Sequence, residues 1–66
     1  MTIYQTALLI KKYYWMRLNF FEKTLLDKLI DGISGLGYPK DDEIKEYLTT
    51  KQMQFIKRLG KRFLIT

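Results

Sequence analysis

A chain of 66 residues with a net charge of +5, no Cys and no His leaves little room for catalysis. Disulfides, thiolate metal sites and Cys nucleophiles are excluded, and the commonest general acid–base side chain is missing. So short a chain buries only about 60% of the surface its unfolded form exposes, so an apolar core or a partner has to supply stability, and 47% hydrophobic residues with ten aromatics favour such burial. The expectation is one small domain, residues 1–66, that is no enzyme, binds a partner and carries no cofactor or metal.

Charge is unevenly placed. The first 18 residues hold three cations and no acid, residues 19–50 hold four cations and seven acids, and residues 51–66 hold five cations and no acid. Basic ends flank an acidic middle, a field that can steer an anionic partner toward the ends.

Residues 3–18 contain no Gly or Pro and read as helix. Ile3, Ala7, Ile10, Tyr14 and Leu18 follow the i, i+3, i+4 spacing of one face. Tyr4, Leu8, Leu9, Tyr13, Trp15 and Met16 spread apolar surface around most of the rest. A helix apolar nearly all round wants burial on more than one side, which predicts self-association at micromolar concentration. The run Thr6 to Ile10 is too short for a signal-peptide core and meets Lys11-Lys12 at once. No stretch approaches the roughly 20 apolar residues of a membrane span, so a cytoplasmic protein is expected.

Asn19-Phe-Phe-Glu22 resembles a capping box, so a second helix can start there. A single helix running on through Asn19 to Asp31 is equally consistent with the pattern. Either way Phe21, Leu25, Leu29 and Ile33 form an i+4 row with Leu26 and Ile30 beside it, predicting a helix over 20–33. Lys23, Asp27 and Asp31 form the solvated row opposite.

Three glycines and the only proline fall between Gly32 and Pro39. The spacing Gly32, Gly35, Gly37 fits neither a dinucleotide fingerprint nor a P-loop, so residues 32–40 read as a helix–helix connection. This stretch is expected to be the main chain reversal, with the final helix antiparallel to the segment before it. Asp41 or Asp42 is the expected cap of that helix, with Glu43 and Glu46 in its first turns. Ile44, Tyr47, Leu48, Phe55, Ile56, Leu59 and Phe63 stay in phase on one continuous helix over about 42–59, with Met53 on its far side. A break at Thr49-Thr50 is the alternative. Gly60 is expected to end the helix and leave residues 61–66 as a tail. The fold class is therefore all-α, a small bundle or hairpin of two to three helices.

Two surfaces compete for function. Lys51, Gln54, Lys57, Arg58 and Lys61 share one side of the last helix, beside its apolar face, with Arg62 close by. A solvated helix face usually mixes signs, and this row of cations without an acid is what phosphate contacts require. A nucleic-acid-binding module or regulator is the first expectation. A helix-turn-helix over 41–48 and 50–59, presenting Lys51, Gln54, Lys57 and Arg58, is one way to build it.

The second surface is aromatic. Tyr13, Tyr14 and Trp15 point in three directions around the first helix, and with Tyr4 they offer rings of the kind enriched at interfaces. That reading makes the chain an inhibitor or adaptor docking on a protein, an acidic one by charge. The Lys-, Ile- and Tyr-rich vocabulary suits a phage or mobile-element protein. A membrane-surface role for Lys11, Lys12 and Arg17 on the same helix is a third reading.

Overall fold

The computed structural model describes residues 1–65, and every regular element among them is helical. The order is α1 (Ile3–Tyr13), a 3-10 turn (Trp15–Arg17), α2 (Phe20–Ser34), a one-turn α3 (Asp41–Ile44) and α4 (Thr50–Arg62). The fold is a small all-α bundle.

Each of the three long helices opens with a reciprocal cap. In α1 the Thr2 hydroxyl accepts the Gln5 N–H at 3.1 Å while the Gln5 side chain accepts the Thr2 N–H at 3.0 Å. Asn19 and Glu22 do the same for α2 at 2.8 and 3.0 Å. Thr49 and Gln52 do so for α4 at 3.2 and 2.8 Å. Each pair satisfies two amides that have no partner inside the helix.

The cap at Asn19 decides the question left open in the sequence. The first helix stops at Tyr13 rather than near residue 18, the 3-10 turn follows, and Leu18 is extended and buried at the corner. The next break falls later than expected. Gly32, Ile33 and Ser34 remain helical, so the connection is 35–40 rather than 32–40. Gly37 takes the left-handed conformation, φ +81°, that favours glycine. Pro39 is buried, and Tyr38 meets Tyr4 edge-on at 6.0 Å.

The largest departure lies beyond the connection. Residues 42–59 do not form one helix: α3 ends at Ile44, a turn follows, and Thr49 starts α4. Neither Asp41 nor Asp42 is the cap of α3; that position is Lys40, whose N–H is met by the Glu43 carboxylate at 3.2 Å. Asp41 instead accepts the Ile3 N–H at 2.8 Å, pinning the start of α1 to α3. The break has a packing reason. On a continuous helix Met53 would face away from the apolar row, whereas the turn rotates α4 so that Met53 packs on the core and Tyr47 is exposed. At the far end α4 runs through a buried Gly60 to Arg62, so the expected stop at Gly60 is also corrected. Thr66, the last residue of the expected tail, lies outside the described residues.

α1 is the central element and packs against both α2 and α4. Ile10, Leu26, Ile33, Ile44 and Ile56 are fully enclosed and belong to one core. The radius of gyration of 10.7 Å matches the roughly 10.8 Å expected for a folded chain of this length. No buried side-chain polar atom among the described residues lacks a hydrogen-bond partner. Among the described residues no helix is long and apolar enough to cross a membrane.

Candidate nucleic-acid interface

α4 places its side chains in two clean sectors. Ile56, Leu59 and Gly60 are buried, with Met53, Gln52 and Phe55 half-buried at their margins. Thr50, Lys51, Gln54, Lys57, Arg58, Lys61 and Arg62 are all exposed. At 100° per residue these seven span an arc of roughly 140°. The cations therefore stand opposite the buried sector, not beside it as a continuous 42–59 helix would require. The same rotation that carries Met53 inward turns the basic row fully outward.

Gln54, Lys57, Arg58 and Lys61, at i, i+3, i+4 and i+7, line one open depression of about 320 Å³. Lys51 extends the row toward the start of the helix, so the row runs roughly 15 Å at 1.5 Å per residue. That length matches about four phosphates along one strand of a duplex.

The helix dipole explains only part of this row. Lys61 lies in the last turn, where a cation is favoured, but Lys51 lies in the first turn, where it is disfavoured. Nothing acidic in α4 offsets it. The ion pairs among the described residues are Lys11–Asp27, Lys45–Asp42 and Arg62–Glu22. None of them engages Lys51, Lys57, Arg58 or Lys61.

Arg62 differs from the rest of the row. Its guanidinium donates to the Glu22 carboxylate at 2.8 Å and to the Arg17 carbonyl at 3.3 Å, and it lies 4.7 Å from the centre of the Phe63 ring. It clamps the end of α4 to the start of α2. Glu22 is held below its ordinary carboxyl pKa, first by the Asn19 N–H it accepts and then by Arg62, which outweigh its partial burial.

The aromatic candidates are dispersed by comparison. Tyr4 is buried against Tyr38. Tyr14 stacks on Phe63 with centroids 4.6 Å apart. Trp15 is half-buried, with the Lys11 and Lys23 ammonium groups 5.9 and 6.0 Å from its ring centre. Tyr13 alone of the four is exposed, accompanied by Lys12 at 5.2 Å. Lys51, Gln54, Lys57, Arg58 and Lys61 are thus brought together, whereas Tyr4, Tyr13, Tyr14 and Trp15 form no common surface.

The helix-turn-helix arrangement is present only in outline. α3 is a single turn, so α4 is preceded by a short corner and not by a helix of comparable length. No group of three or more His, Cys, Asp or Glu side chains among the described residues is placed to hold a metal ion. No family model, curated protein or solved structure matches the chain.

Proposed function

We propose that the protein binds nucleic acid, gripping phosphates with the outward face of α4 through Lys51, Lys57, Arg58 and Lys61, with Gln54 among them as a neutral hydrogen-bonding group. The observation that carries this reading is an exposed helix face of one sign whose four cations make no ion pair among the described residues. Neutralising phosphates with such a row releases counterions from the polymer, which is the main source of sequence-independent affinity. Arg62 is assigned a structural share through Glu22 and Arg17. The activity is binding rather than catalysis, and the reading carries a cytoplasmic location with it. Docking of a protein on the aromatic first helix has less support, because Tyr4, Tyr14 and Trp15 are engaged within the fold.

The test is the salt dependence of binding. For wild-type protein the logarithm of affinity should fall linearly with the logarithm of salt, by about 0.9 per phosphate neutralised on duplex and about 0.7 on a single strand. Lys57→Ala with Arg58→Ala should weaken binding to all sequences alike and make that slope shallower by one to two such contacts. Both side chains are exposed, so helicity and thermal stability should hold. Unaltered affinity in the double variant, or no binding by the wild type at low salt, would overturn the assignment.

A further inference from the structure

Beside the basic depression lies a second of about 340 Å³, and Arg58 lines both. The second is walled by Phe21 and Phe55 and rimmed by Arg58 and Arg62. Phe21 is 68% exposed and takes no part in the core, although it heads the apolar row of α2 in the sequence. Glu22, the one acid at this site, is already engaged by Arg62 and the Asn19 N–H. The surface therefore passes without a break from a row of cations, through one arginine, to a pair of aromatic rings.

From this juxtaposition we infer that the nucleic acid bound is single-stranded, with one base seated on Phe21 beside Arg58 and the backbone following Lys57, Lys61 and Lys51. The inference rests on the phosphate-binding reading of α4. A cationic track next to aromatic faces is the arrangement by which proteins hold single strands, because every base has a π-face to stack and the phosphates need only charge. Arg58 serves both parts, since a guanidinium pairs with phosphate and stacks on a planar ring. Duplex offers Phe21 no base face unless a step is unstacked at a cost of a few kcal/mol. A duplex would thus meet the cations but leave the rings unused.

The experiment is fluorescence anisotropy with a dye-labelled oligothymidylate of about 12 nucleotides and a duplex of the same length, across a salt series. The proteins are wild type, Phe21→Ala, Phe21→Leu, Phe21→Trp and the Lys57→Ala/Arg58→Ala double variant. The single strand should bind on the order of tenfold tighter than the duplex. Phe21→Ala should remove that margin while leaving duplex affinity unchanged, and Phe21→Trp should keep it. Phe21→Leu retains the apolar volume without the π-face and should behave as Phe21→Ala, which separates loss of stacking from loss of fold. The double variant should weaken both polymers together. Duplex bound as tightly as the single strand, or equal losses on both in Phe21→Ala, would overturn the inference and leave the phosphate-binding reading standing. No binding of either polymer by the wild type would remove that reading, and this inference with it.

Discussion

Leu64 shows how one residue can carry a cost the rest of the fold absorbs. Its φ is +59°, a left-handed conformation that a β-carbon disfavours. It sits just past the end of α4, where the Leu64 N–H donates to the Lys61 carbonyl at 3.1 Å and the Ile65 N–H to the Gly60 carbonyl at 2.8 Å. These two bonds engage carbonyls of the last helical turn, and the motif usually places glycine where Leu64 stands. The Leu64 side chain is 90% exposed, so removing it sacrifices no packing. Leu64→Gly should stabilise the protein by about 1 kcal/mol, read as a higher urea midpoint with an unchanged slope. A lower midpoint would mean that the side chain has a partner within the fold.

Glu22 links stability to pH at the same scale. Because its carboxyl lies below the ordinary value of 4.5 in the folded chain, its contribution to stability is complete above that value. As pH falls through and below it, the unfolded chain takes up the proton first and the contribution is lost, fully so once the folded carboxyl is protonated. Glu22→Gln keeps the reciprocal cap but removes the charge facing Arg62. The stability gap between wild type and this variant should be present at pH 7 and shrink at acid pH. A gap that stays constant across that range would show that the carboxylate charge, facing the Asn19 N–H and Arg62, contributes nothing.

The elements show where sequence periodicity suffices and where it misleads. The buried stripe of α1 at Ile3, Ala7 and Ile10 and that of α2 at Leu29 and Ile33 are legible, because one uninterrupted helix generates each. The Asn19 box is legible too, and once it starts α2 it puts Phe20 and Phe21 in the first turn, ahead of the buried stripe. That placement leaves Phe21 exposed although it heads the apolar row. The break between α3 and α4 is harder, because seven apolar residues fit a continuous helix and only Met53 objects. The local chemistry of Thr49 and Gln52 outweighs the long-range phase. Thr49→Ala discriminates between the two arrangements by sign: it should cost about 1 kcal/mol at a cap, whereas alanine inside a continuous helix would stabilise. Thermal unfolding of the variant decides it.

At the scale of the whole molecule, the basic row was legible as a set of residues, and its direction was not. Its members follow from spacing alone, but whether they flank or oppose the core depends on the turn at 45–49, which rotates α4. The dispersal of the aromatic residues was equally out of reach, since it depends on Phe63 and Tyr38 arriving beside Tyr14 and Tyr4 from distant parts of the chain. Among the aromatic and apolar side chains outside α4, Tyr13, Met16 and Phe20 remain exposed, and a protein partner or a second copy would have to meet those side chains. The two surfaces are carried by different elements, so a residue-resolved binding map separates them. The most direct test is a titration of isotope-labelled protein with a short oligonucleotide, following backbone amide shifts. Perturbations should concentrate at Lys51, Gln54, Lys57, Arg58 and Lys61, while Tyr13 and Met16 stay still. Shifts confined to Tyr13, Met16 and Phe20, or no shifts at low salt, would contradict the account.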